Sequence, residues 1–233
     1  MSDPGVPARV QIGGALSWAF STLRADLLAF LVLAAIPVVL TAAQGIGTTS
    51  IQNVVLDCVN PQSPGQENAC AVALSPSALA PVVLSVALVF LAAISQIGVQ
   101  RGAIRRTRGQ APSFADMLES RGTGAYVGYV LLFRIAFFVG LALCILPGLL
   151  VLVFFQFGPY FILDRGMGVM AAARASASLA SRHLGPVAIV ALMTAFLELI
   201  GGLFFGLPML ITLPFTALFA AHVYRQLNAE PVV

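Results

Sequence analysis

The sequence predicts an all-α membrane protein: six transmembrane helices, with amphipathic surface helices before spans 1, 3 and 5. Three observations carry this. Charged residues are 9% of 233 and hydrophobic residues 59%, whereas soluble domains carry about 25% charged residues. Mean hydropathy is +0.97, more apolar surface than a soluble chain of this size can bury. Apolar runs of span length recur along the chain, each bounded by Pro/Gly turns or by arginine.

Residues 1–8 (MSDPGVPA) read as a disordered tail. No cleavable signal peptide is expected, because the first apolar run starts near Leu27 behind a longer, helical lead-in. That lead-in, 9–24, puts Ile12, Leu16, Phe20 and Leu23 on one face and Gln11, Ser17, Ser21 and Arg24 on another. Trp18 flanks the apolar face, where an indole suits a headgroup region. Span 1 is 26–44 and contains Pro37, a tolerable kink if neighbours satisfy the freed carbonyl. Residues 45–77 form the long loop, and 48–59 can extend as a short helix.

Span 2, 78–98, exits through QRGAIRRTRGQ into a second short surface helix, 111–120, with Ser113 as N-cap. Span 3, 125–145, turns at Leu146-Pro147-Gly148 into span 4, 149–163, which exits at Asp164-Arg165-Gly166. The Ala/Ser-rich stretch 168–182 is the third surface helix. Span 5, 186–205, turns at Gly206-Leu207-Pro208 into span 6, 208–224, and 228–233 is a tail. Residues 9–227 are thus one membrane domain.

Arginine sets the orientation. The chain has no lysine, and eleven of its twelve arginines fall on one side, with Arg134 inside span 3. The positive-inside rule makes that side cytoplasmic, with both termini there and loop 45–77 outside. An arginine-only basic set, with 21 Gly and 14 Pro, fits a GC-rich bacterial genome, hence a bacterial inner membrane. A surface helix, an outward span and an inward span recur over 9–108, 111–165 and 167–226. This pattern reads either as a three-fold parallel hairpin repeat or as shared membrane-helix bias.

The corner Leu146-Pro147-Gly148, Pro159, the Asp164-Arg165-Gly166 exit, Gly168 and the helix with Arg174, Ser176 and Leu179 resemble a widespread bacterial integral membrane family. It comprises YciC-like inner-membrane proteins and the membrane domain of some glycerophosphodiester phosphodiesterases. The Trp18 lead-in fits as well, and the resemblance covers about 9–227 in architecture. It implies a six-span helical fold without a defined activity. The phosphodiesterase domain is absent from this sequence, so its activity is not carried over.

Charge inside a membrane is costly, about 2.5–3.5 kcal/mol at mid-helix on insertion scales. That singles out Arg134 and Glu198. At 1.5 Å per residue they lie about 14 and about 18 Å along outward spans, so long side chains can pair. Gln156 and Thr216 fall in the same inner half. The four form either a polar site on a solute or proton path, or a structural cluster fixing helix packing; the structural reading is favoured. Arg101, Arg105, Arg106 and Arg108 are candidate contacts for anionic lipid headgroups, or simply a topology signal.

Cys58 and Cys70 are candidates for a disulfide worth about 3 kcal/mol on chain-entropy models, with two free thiols as the alternative; Cys144 is the spare. Glycine pairs 98/102, 124/128 and 202/206 suit close helix approach. No metal-ligand spacing, phosphate loop or catalytic motif occurs, so no cofactor or metal is expected. The expected role is a non-enzymatic scaffold or accessory subunit tied to envelope or lipid organisation. A small-solute or lipid transporter using Arg134 and Glu198 is the alternative, and an enzyme ranks third. The expected partners are membrane lipids and another membrane protein or complex, and not nucleic acid.

Overall fold

The computed structural model describes residues 10–59, 76–113, 119–202 and 207–233. Among these it has nine helices and no strand: α1 (Ile12–Ala25), α2 (Leu27–Val59), α3 (Pro76–Thr107), α4 (Thr123–Leu143), α5 (Ile145–Phe155), α6 (Gly158–Arg165), α7 (Val169–Arg182), α8 (Leu184–Gly202) and α9 (Met209–Leu227). The chain is an all-α membrane protein, as the composition requires.

Five stretches are long and apolar enough to cross a membrane: Leu27–Gln44, Val83–Thr107, Thr123–Leu143, Ile145–Arg165 (α5 and α6 together) and Leu184–Gly202. The sixth expected span coincides with α9, whose last turns carry His222, Tyr224, Arg225 and Gln226. Helix α9 is nevertheless the most enclosed element, with twelve of its 19 residues buried. It packs against α1, α2, α3 and α8, and Ala217, Ala220 and Ala221 let those neighbours come close.

Several expected boundaries move. Helix α2 runs on to Val59 in one piece, and α3 continues past 98 through the arginine cluster to Thr107. It stops there because Gly109 takes a left-handed φ of 75°, and the Gln110 N–H closes back on the Arg105 carbonyl. The corner expected at Leu146-Pro147-Gly148 lies instead at Cys144, which is extended (φ −173°, ψ 156°). Pro147 falls in the first turn of α5, where its missing N–H leaves no helix bond unmade. The turn is tight: a Cβ on Gly140 would lie 2.8 Å from the Gly148 amide nitrogen.

Helix α1 buries Ala15, Ala19, Thr22 and Leu23, a stripe rotated from the expected one. Phe20 is instead exposed, with the Arg24 guanidinium 5.0 Å above its ring. Trp18 packs on His222 of α9, ring centres 4.8 Å apart. The core of the surface helix expected at 111–120 lies outside the described residues. Gly102 meets Phe30 and Leu33 of α2, whereas Gly124 and Gly202 face open space.

Packing is uneven along the membrane normal. The dense core gathers toward the arginine-bearing end, around Tyr126, Tyr129, Phe157, Tyr160, Phe161 and Tyr224. At the other end Phe138, Leu143, Ile145 and Leu146 on the α4–α5 hairpin and Phe196 and Leu199 on α8 are all exposed. Those residues are apolar, as surfaces in contact with lipid tails are.

Candidate functional site

The densest polar arrangement surrounds the break between α5 and α6. Pro159 has no N–H, so the carbonyl four residues earlier, Phe155, loses its helical donor. The Tyr129 hydroxyl of α4 supplies one instead, at 2.6 Å. The Ser176 hydroxyl of α7 donates to the Phe154 carbonyl at 2.8 Å and accepts the Phe157 N–H at 3.2 Å. One carbonyl and one N–H at the break thus find partners on a single neighbouring side chain, which is what tolerance of a broken helix at membrane depth requires. Gly158 is needed sterically, because a Cβ there would collide with the Tyr129 ring.

The four expected polar residues are divided. Gln156 donates to the Val187 carbonyl of α8 at 2.8 Å, fastening the break to a third element. Thr216 is buried and bonds its own helix at Leu213, 2.9 Å. Arg134 is half-buried on α4, and Glu198 lies on an exposed face of α8. Arg134 is within electrostatic reach of Glu198 and of the Tyr126 hydroxyl, but no ion pair within 4.0 Å joins it to Glu198 among the described residues. Tyr160 donates to the Ala217 carbonyl at 3.2 Å.

A second arrangement occupies the arginine-bearing end. Arg106 pairs with Asp26 at the start of α2 (2.8 Å), and Arg105 with Glu119 (3.4 Å). Arg108 pairs with Asp164, whose other oxygen accepts the Tyr224 hydroxyl at 3.3 Å. Arg101 is buried and donates to the carbonyls of Glu119 and Arg121. The expected headgroup cluster is therefore also an internal clamp on α2, α6 and the segment before α4.

The tail joins this clamp. Glu230 bridges Arg165 (2.8 Å) and Arg225 (3.1 Å), Asn228 accepts from Arg165 at 2.9 Å, and the Val233 N–H donates to the Thr107 carbonyl at 3.1 Å. Arg165 also lies over the Phe161 ring, 5.2 Å from its centre. A cavity of about 390 Å³ opens among these groups, lined by Arg101, Arg105, Arg108, Arg121, Arg165 and Gln110, with Glu119 and Asp164.

Sequence reasoning passes over Tyr129, Tyr224 and Glu230, and meets Ser176 only as part of the family resemblance. One signal was available. The chain has four tyrosines, and all four are buried around the α5–α6 break and the end of α9. The Cys58–Cys70 pairing lies outside the described residues. Cys144 is a free thiol, exposed at the α4–α5 corner. No group of three His, Cys, Asp or Glu side chains suited to a metal occurs among the described residues.

Fold and site together define a multi-pass, all-α membrane protein with a mended break in one span and an arginine clamp at one end. The chain is 26% identical to the uncharacterized protein Rv2560 of Mycobacterium tuberculosis, over 99% of this chain and 74% of that protein. It is likewise 26% identical to the uncharacterized protein Mb2590 of Mycobacterium bovis, over the same shares. No family model matches the chain, and no solved structure does. Both relatives are uncharacterised, so the likeness brings no activity with it.

Proposed function

We propose that this chain is a non-enzymatic protein of the bacterial inner membrane, a scaffold or accessory subunit in envelope or lipid organisation, with both termini cytoplasmic. The observation that supports this most is how its polar side chains at membrane depth are used. Tyr129, Ser176, Gln156, Tyr160, Thr194 and Thr216 all donate to backbone carbonyls. The first four join different elements, the two threonines close on their own helix, and hydroxyls and amides so engaged leave little to contact a moving solute. The resemblance to the YciC-like family, read as kinship in fold, belongs to the same proposal, and so does a sixth span at α9.

The transport reading rests on Arg134 of α4 and Glu198 of α8, which attract each other without a direct bridge.

Crosslinking in native membranes separates the two. The scaffold reading expects one membrane protein crosslinked reproducibly and in near-stoichiometric yield through the exposed faces of α4 or α8. It is overturned by an uncrosslinked monomer whose reconstituted vesicles pass a solute in a way that Arg134→Leu/Glu198→Met abolishes.

A further inference from the structure

The cavity at the arginine-bearing end has a composition that the clamp alone does not explain. A clamp needs each arginine to meet a carboxylate or a carbonyl. Arg108 meets Asp164, and Arg165 meets Glu230 and Asn228. Arg121 is different. It is exposed, lines the cavity, and has no carboxylate partner among the described residues; its interaction there is through its backbone carbonyl, which accepts from Arg101. The two lining carboxylates are already engaged, Glu119 by Arg105 and Asp164 by Arg108 and Tyr224. Among the described residues five arginines line the cavity against two occupied carboxylates, with Glu230 on Arg165 as a third, so positive charge is in excess there. The planar fork of a guanidinium matches the oxygens of a phosphate.

The walls are fixed. Arg101 is buried and held by two backbone carbonyls, and Arg165 is stacked over Phe161 and tied to the tail. Donors held in place lose little freedom when a ligand arrives. A volume of about 390 Å³ is enough for a phosphorylated glycerol or similar headgroup and falls at the small end of ligand sites. The lining comes from the end of α3, the 119–121 segment and the end of α6, so it lies where spans leave the membrane.

We infer that this cavity binds a phosphate-bearing anion, with Arg121, which meets no carboxylate among the described residues, as the donor that engages it and Arg105, Arg108 and Gln110 around it. The phosphate belongs either to a lipid headgroup or to a soluble phosphate ester, and the two sources are separable. This inference is independent of the scaffold reading.

The full chain is placed in phosphatidylcholine nanodiscs. One arm dopes them with phosphatidylglycerol and counts retained lipids by native mass spectrometry; the other titrates glycerol 3-phosphate by calorimetry. Arg121→Gln is compared with Arg174→Gln, an exposed arginine that does not line the cavity. Saturable binding in either arm, weakened about fivefold by Arg121→Gln and unchanged by Arg174→Gln, is expected, and the arm that responds names the source. Absence of binding in both arms overturns the inference, and so does an equal loss in both variants, which would mean diffuse surface charge. Both variants change exposed residues outside the carboxylate pairs, so a folded protein is read in each case; a matching thermal transition confirms it.

Discussion

The hydroxyl of Tyr129 sits 2.6 Å from the carbonyl of Phe155, the acceptor that Pro159 leaves without a helical donor. A proline in span 4 is therefore answered by a tyrosine in span 3. Removing the hydroxyl strands a half-buried carbonyl, which costs about 1–3 kcal/mol. Tyr129→Phe should lower stability by that amount in detergent unfolding. Tyr126→Phe is the control, because the buried Tyr126 hydroxyl makes no hydrogen bond; its removal should leave stability unchanged or raise it. Equal losses would contradict the repair.

Gly158 gives a steric counterpart. Its missing Cβ is the space the Tyr129 ring occupies, so Gly158→Ala must push either the ring or the break aside. Overpacking of this kind costs about 1–3 kcal/mol or more, and lower membrane accumulation is expected. Gly124→Ala, in open space on the first turn of α4, should be neutral or gain up to about 1 kcal/mol of helix propensity. Accumulation of each variant checks the pair.

Asp164 anchors the arginine clamp. Its side chain is 3% exposed while that of Arg108 is 46% exposed. Solvent screening on the arginine side discounts the pair, so Asp164→Asn should cost about 1–2 kcal/mol, including part of the Tyr224 bond. The loss should shrink in high salt, since one partner is in water. Thermal unfolding at two ionic strengths measures both effects.

Cys144 tests orientation. It lies at the α4–α5 corner, far along the chain from any arginine except Arg134. With Cys58 and Cys70 changed to serine, a membrane-impermeant maleimide should label Cys144 in intact spheroplasts. Labelling only after lysis would reverse the proposed topology.

The spans were legible because an apolar run of 18–25 residues is a strong, local signal, and the arginines mark one end of each. The break at 156–157 was not. Pro159 reads as an exit signal when taken alone, and its meaning depends on Tyr129, thirty residues earlier. Likewise α1 presents two plausible stripes one residue apart. Small residues (Ala15, Ala19) won over Phe20 because α9 packs closely there, and apolar periodicity does not weigh small size. The arginine cluster was legible as charge, but its pairing with Asp26, Glu119 and Asp164 depends on contacts distant in sequence.

On the scaffold proposal, the polar groups at membrane depth serve structure, not passage. The most direct measurement replaces Arg134 with Leu and Glu198 with Met together, in cells lacking the native copy. Membrane accumulation and a phenotype restored to near wild type are expected. A double variant that accumulates and unfolds like the native protein yet fails to restore the phenotype would contradict it, and would move the pair from packing to transport.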